Sequence, residues 1–279
     1  MAQTVIYTSM KQSALSIAAV LTAITAVPSL AQGRFDDVVK TEVIQGWDLP
    51  DGRRLAAIRL SLAPGWKTYW RAPGDAGIPP HFDWSRARNI GAVSLTWPTP
   101  DVHTQNGMRS IGYTDQVVIP MHITPSKPGK PMRLRTTLSM GVCSDVCIPH
   151  QVSINTLLDS PDLTPTPAIV AALADVPYSE AEAEVQAATC QLRPTEHGMQ
   201  IEARVTLPHT GGTEVAVIEP GVPGVWVSEA KTSRTGDTVV AVSEMMHADG
   251  GAFAIDRSDV RITILGGSYA VDVRGCTAG

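Results

Sequence analysis

Proline and glycine turn signals cut this chain into runs too short for long helices, and this narrows the possible folds most. Pro50-Asp51-Gly52, Pro64-Gly65, Pro73-Gly74 and Pro128-Gly129 punctuate the first half. Proline removes a backbone donor and fixes φ, while glycine reaches turn conformations closed to other residues. Between the turns, Leu55–Leu62, Val117–Ile123, Arg133–Ser139 and Gln151–Leu157 alternate loosely between apolar and polar residues, as half-buried strands do. Regularly spaced short strands predict an antiparallel sandwich from Val38 to Leu158. From Ser160 to Pro177 the character changes, with Pro161, Pro165, Pro167 and Pro177 in quick succession. Ala168–Ala174 and Glu180–Ala188 read as short helices there. Strand patterns then resume at Met199–Val205, Glu214–Ile218, Val225–Ser228, Thr238–Val242, Val260–Leu265 and Tyr269–Val273. The expected fold is all-β, with two immunoglobulin-like β-sandwich domains at 32–160 and 189–279. A Pro-rich linker with short helices, 161–188, joins them.

The amino terminus predicts export. Lys11 precedes an apolar stretch from Ala14 to Val27, followed by Pro28 and the small residues before a cut after Ala31. That is the layout of a signal peptide over 1–31. Its core is shorter than the roughly 20 residues a membrane-spanning helix needs, and no later stretch qualifies, so the mature chain is expected to be soluble and not membrane-spanning. A hydrophobic content of 43% excludes disorder, and a net charge of −5 without a basic cluster argues against nucleic-acid binding.

Export makes the four cysteines candidates for disulfides. Cys143 and Cys147 lie in Met140-Gly-Val-Cys-Ser-Asp-Val-Cys-Ile-Pro-His-Gln151, between two β-like runs. Four residues of extended strand would part their Cα atoms by roughly 13 Å, whereas a disulfide needs about 4.4–6.8 Å. The pair therefore sits on a turn. In the chain-entropy model, closing a loop of roughly 90 residues between Cys190 and Cys276 gives about 4.6 kcal/mol, and a loop of about five residues only about 2. Cys190–Cys276 is thus expected to be the structural disulfide. The close pair keeps three readings. It is a hairpin staple, a redox pair, or part of a Cu(I) site with His150 and perhaps Met140. Asp145 disfavours a thiolate and the segment has no Lys or Arg, which fits a disulfide attacked by a partner's thiolate. Strand alternation puts Trp66, Thr68 and Trp70 on one face and Tyr69 on the other, so Tyr69 or Tyr113 is a candidate to flank the cysteines.

Four blocks in order carry a family resemblance: Gly65-Trp-Lys-Thr-Tyr-Trp-Arg-Ala-Pro-Gly-Asp-Ala-Gly-Ile-Pro79, Trp97-Pro-Thr-Pro100, Gly112-Tyr-Thr-Asp115 with Val117-Val-Ile-Pro120, and Cys143-Ser-Asp-Val-Cys-Ile-Pro149. Residues 35–160 resemble the periplasmic amino-terminal domain of the DsbD/ScsB thiol:disulfide interchange proteins, nearest the ScsB type. The second β domain is similar to the extra immunoglobulin-like domain of the ScsB arrangement. The resemblance implies a periplasmic protein whose Cys143–Cys147 pair shuttles between disulfide and dithiol with no cofactor. Electrons would come from a thioredoxin-like domain or membrane electron transporter and pass to oxidised periplasmic proteins, as in a protein-disulfide reductase. The chain shows no membrane relay and no Cys-x-x-Cys, so that partner is expected on a separate chain. By position, Val102–Ser110 would be a cap over the cysteines, with Met108 as its shielding side chain. The spacing Cys143-x3-Cys147 is closer than in the DsbD type, so geometric detail carries over from the ScsB type alone. Copper binding or copper tolerance through Cys143, Cys147, His150 and Met140 is the leading alternative. A non-enzymatic immunoglobulin-like interaction module is the third.

Overall fold

The structure is a computed structural model that describes Met1 and residues 38–74, 77–105, 107–159 and 164–279. Apart from Met1, the expected signal peptide at 1–31 and the first few residues after it thus lie outside the described residues. The first sandwich is built from β1 (Val39–Asp48), β2 (Arg54–Leu62), β3 (Lys67–Tyr69), β4 (His81–Asp83), β5 (Ile90–Leu95), β6 (Asp101–Gln105), β7 (Met108–Thr114), β8 (Gln116–Pro125), β9 (Met132–Cys143) and β10 (Cys147–Leu158). One sheet runs β1-β2-β8-β5 and the other β10-β9-β3-β7-β6, with β4 also paired to β9. Ala56, Ile58 and Leu60 of β2 and Ile119, Met121 and Ile123 of β8 face Leu134, Leu138 and Met140 of β9 across the core. Trp70 is buried among them.

Strand β2 reads as a nearly continuous apolar run because both of its faces are covered. Its odd-numbered neighbours Leu55 and Ala57 turn outward, where Ile169 and Ala172 of α1 (Pro167–Ala174) cover them. Proline at the first turn of α1 costs no hydrogen bond, since that N–H has no intrahelical acceptor. The second short helix expected over Glu180–Ala188 is absent. Those residues form turns between β11 (Tyr178–Ser179) and β12 (Ala187–Thr195), so strands occupy part of the stretch read as linker. Val185 and Ala183 point into the second core there, which favours docking over a free-standing helix.

The second sandwich adds β13 (Gly198–Thr206), β14 (Val215–Glu219), β15 (Val225–Val227), β16 (Lys231–Thr235), β17 (Thr238–His247), β18 (Arg261–Leu265), β19 (Ala270–Arg274) and β20 (Thr277–Ala278). Its sheets run β11-β19-β18-β14 and β15-β17-β13-β12-β20, with β16 on β17. Cys190 is bonded to Cys276, which ties β12 to the last strand. The two sandwiches pack directly. Val215, Leu265 and Ala270 join the core cluster of the first. The Arg71 guanidinium lies 3.7 Å from the Trp70 ring and donates to Glu219 at 2.9–3.2 Å and to Thr263 at 3.2 Å. Arg109 donates to the Ala230 carbonyl at 3.2 Å and pairs with Glu229 at the same distance. A cleft of about 310 Å³ remains between the sandwiches, lined by Pro73, Ile111, Val217 and Trp226 among others.

Candidate functional site

The close cysteines close the β9–β10 hairpin. Cys143 is the last residue of β9 and Cys147 the first of β10, directly opposite in the register. The intervening turn is Ser144-Asp145-Val146, held by a Ser144 N–H bond to the Val146 carbonyl at 3.3 Å. Opposed strand ends bring the Cα atoms to 4.1 Å, and the two sulfurs are bonded. The bond is asymmetric in access. Cys143 is 0% exposed, whereas Cys147 is exposed, as are Asp145 and Val146 at the tip.

Tyr69 supplies the polar contact to this disulfide. Its hydroxyl lies 2.8 Å from Cys143 Sγ and 3.0 Å from Cys147 Sγ. Alternation along β3 decides this placement. Thr68, on the opposite face, points inward, where its hydroxyl donates to the Gly141 carbonyl at 2.9 Å. Tyr69 therefore lies over β9 on the side where Cys143 emerges. Two glycines make room for the ring. A Cβ on Gly141 would sit 2.8 Å from Tyr69 Cε2, and one on Gly77 would sit 2.9 Å from Tyr69 Cδ1. Ile78 lies beside the ring against Gly141, and its carbonyl accepts the Gly141 N–H at 3.4 Å. Burial raises the Tyr69 phenol above its ordinary value of 10.0, so at neutral pH it is a protonated donor.

Two further polar residues share the face. Lys67 pairs with Cys143 on one side and Thr114 on the other, so its side chain emerges on the face of Cys143 and Tyr69. Its ammonium donates to the Ser110 hydroxyl at 3.1 Å. His103, opposite Ser110, has its titration lowered by burial and then by the charge of Lys67. The sequence reading sought cations only within the cysteine segment and missed Lys67. The signal was present in Lys67-Thr-Tyr69, because alternation puts the lysine on the tyrosine's side.

Other candidates are placed elsewhere. His150 is opposite Met140, one step out of phase with the opposed cysteines, so both side chains emerge on the other face of the hairpin. Met140 is 1% exposed and belongs to the core. Cys143, Cys147, His150 and Met140 thus do not form one donor set. The Tyr113 hydroxyl donates to the Pro98 carbonyl at 2.8 Å, inside the core and away from the sulfurs. The stretch expected to cap the cysteines is the β6–β7 hairpin. Met108 lies at its tip, 60% exposed. In the register Thr114 is level with Cys143, which leaves Met108 about 20 Å farther along the sheet. Gly77 and Ile78, not Met108, close over this part of the sheet.

Comparison with known proteins bears on this site. The family described as thiol:disulfide interchange protein DsbD, N-terminal, matches residues 36–159, the whole first sandwich including the cysteine hairpin. Residues 36–159 thus match a DsbD/ScsB amino-terminal domain. The crystal structure of the N-terminal periplasmic domain of ScsB from Proteus mirabilis is similar over 87% of this chain and 95% of that one, at TM-score 0.65 and 23% identity. That likeness extends to both sandwiches and shows their fold. The reduced DsbD N-terminal domain of Neisseria meningitidis covers 44% of this chain and 86% of its own at 17% identity, with a TM-score of only 0.27. No curated protein sequence matches the chain significantly. The match over residues 36–159 supports thiol:disulfide interchange at the level of that family, and with it thiol-exchange partners. Among the described residues no helix is long and apolar enough to cross a membrane.

Proposed function

We propose that the chain is a periplasmic thiol:disulfide exchange protein in which Cys143–Cys147 is the exchanging bond. The observation that carries this reading is the Tyr69 hydroxyl, within hydrogen-bond distance of both sulfurs of a bond that is buried at one end and exposed at the other. A purely structural staple needs neither feature.

The difference in exposure supports the following roles. A thiolate from a partner dithiol attacks Cys147 Sγ in line with the S–S bond. A bond from the partner sulfur to Cys147 forms, the bond to Cys143 breaks, and its electron pair stays on Cys143 Sγ. Tyr69 donates a hydrogen bond to that new thiolate. The partner's second thiolate then attacks its own sulfur in the mixed disulfide and releases Cys147. The partner leaves as a disulfide, and Cys143 and Cys147, having gained two electrons, take up two protons. Run in reverse against an oxidised periplasmic protein, the same steps deliver the electrons onward. The partner dithiol is that of a thioredoxin-like domain or membrane electron transporter.

Trapping tests the assignment. Cys143→Ser leaves Cys147 to form a stable mixed disulfide with a thioredoxin-like protein lacking its resolving cysteine, while Cys147→Ser forms none. A reduction potential for the close pair well below about −300 mV, with no exchange against dithiothreitol, would mark a structural staple and sink the reading.

A further inference from the structure

We infer that Lys67 is the cation that stabilises the Cys143 thiolate, held ready on Ser110 while the disulfide is closed. The inference rests on the exchange reading above, because only exchange makes a thiolate at Cys143.

Two constraints on the fold point to this role. First, the leaving sulfur is the buried one, and a charge created where water is excluded is costly unless a donor or an opposite charge faces it. Tyr69 provides one hydrogen bond but no charge. Second, the register places Lys67 directly opposite Cys143 on the same face. Directly opposed residues hold their Cβ atoms about 4.5–5.5 Å apart, and a four-carbon stem covers that span with ease. The ammonium meanwhile rests on the neutral Ser110 hydroxyl at 3.1 Å, with no carboxylate among the described residues bonded to it. A hydroxyl partner is easily exchanged for a thiolate, whereas an ion pair would compete with it.

The other charged and titratable groups facing this part of the sheet do not supply the same charge. By register, β6 contributes Asp101 opposite Gly112 and His103 opposite Ser110, the hairpin turn contributes Asp145, and β4 contributes His81 and Asp83 opposite Ser139 and Thr137, four and six residues along β9 from Cys143. Asp101 and Asp145 are both exposed carboxylates of the wrong sign. Burial, and then the charge of Lys67 itself, lower the His103 titration and so work against a charged imidazole there. Arg133 and Arg135, which share the face along β9, stand at the far end of the strand and bond Asn155. Among the described residues, Lys67 is therefore the cation whose strand position is level with the leaving sulfur, and its ammonium, which rests toward Ser110 on β7, must swing across β3 to reach it.

The test is a thiolate titration in the full chain carrying Cys147→Ser, so that Cys143 is the only free thiol, followed by ultraviolet absorbance. An opposite charge within about 4–6 Å shifts such a group by one unit or more. Lys67→Met and Lys67→Gln are each expected to move the Cys143 titration upward by about one pH unit. In the two-cysteine protein, reduction by dithiothreitol at neutral pH is expected to slow about tenfold. Lys67→Arg should keep both values close to the parent. A role in packing alone would leave the titration where it is in all three variants. That outcome, in variants that melt as the parent does, would overturn the inference while the parent still exchanges. If the parent itself does not exchange, the functional reading fails first and this inference with it.

Discussion

Replacing Tyr69 by phenylalanine isolates the contact on which the functional reading stands. The ring should stay in place, since Gly77 and Gly141 flank it and phenylalanine has the same outline. Only the hydroxyl at 2.8 and 3.0 Å from the sulfurs is removed. In the ground state that loss is small, because a neutral disulfide sulfur is a weak acceptor. As the S–S bond breaks, negative charge gathers on Cys143 Sγ, and a hydrogen bond to a charged group is worth about 1.5–3 kcal/mol. The interaction is stronger in the transition state than before it, so it acts on the rate. At roughly 1.4 kcal/mol per factor of ten, Tyr69→Phe should slow reduction by dithiothreitol by about tenfold to a hundredfold. The melting temperature should barely move. The advantage of tyrosine should persist to about pH 10, since burial holds the phenol above that value. Rates are read by quenching with an alkylating agent and counting free thiols over time. A variant that exchanges within twofold of the parent, at an unchanged melting temperature, would refute the argument.

Three other outcomes follow from the same geometry. Gly141→Ala puts a Cβ 2.8 Å from both Tyr69 Cε2 and Ile78 Cβ. It should destabilise by about 1–3 kcal/mol through overpacking and slow exchange by displacing the hydroxyl. Combined with Tyr69→Phe it should add little further slowing, a shortfall from additivity read in a double-mutant cycle. Opening Cys190–Cys276, which spans 86 residues, with paired alanines should cost about 4–5 kcal/mol by denaturant melting. Opening Cys143–Cys147, which spans 4, should cost about 2. A larger loss for the short loop would reverse that ranking. Burial alone would raise the Glu214 carboxyl, but Arg234 at 2.6–2.7 Å and Thr210 at 2.8–3.0 Å outweigh it and hold it at about 2 against an ordinary 4.5. The stability this lends is complete above the unfolded value near 4.5 and is lost as pH falls through about 2. Glu214→Gln should flatten the acid limb of a stability-against-pH curve by up to one proton, and an unchanged slope would count against the ion pair.

The strands were legible because period and punctuation agree. Leu55–Leu62, Val117–Ile123, Arg133–Ser139 and Gln151–Leu157 all fall inside β2, β8, β9 and β10. The apparent second helix over Glu180–Ala188 misled because a helical spacing of alanines is also what a docked turn and a strand start look like. Alternation alone separated Tyr69 from Trp70 and so anticipated a tyrosine near the sulfurs. It could equally have excluded His150, which differs from Cys147 by an odd number of residues along one strand. That inference needed the hairpin to continue straight through Cys147, and a turn-borne pair does not reveal where its strand begins. Lys67 and the Gly77–Ile78 cover depend on which strands lie side by side, and pairing between β3 and β9 crosses some seventy residues that carry no local mark of it.

That long-range pairing also explains why the second sandwich matters to the first. Strand β3 is only three residues long and carries both Lys67 and Tyr69. So short a strand is weakly fixed by its own ladder. At one end Lys67 is held between Cys143 and Thr114. Beyond the other end, Arg71 is gripped by Glu219 and Thr263 of the second sandwich and sits over the Trp70 ring. Both Arg71 and Glu219 are largely buried, so the bidentate pair is not dissipated by solvent as an exposed one would be. The tyrosine thus stands between two anchors, one in each sandwich, and a hydroxyl that must meet two sulfurs at once requires that fixity.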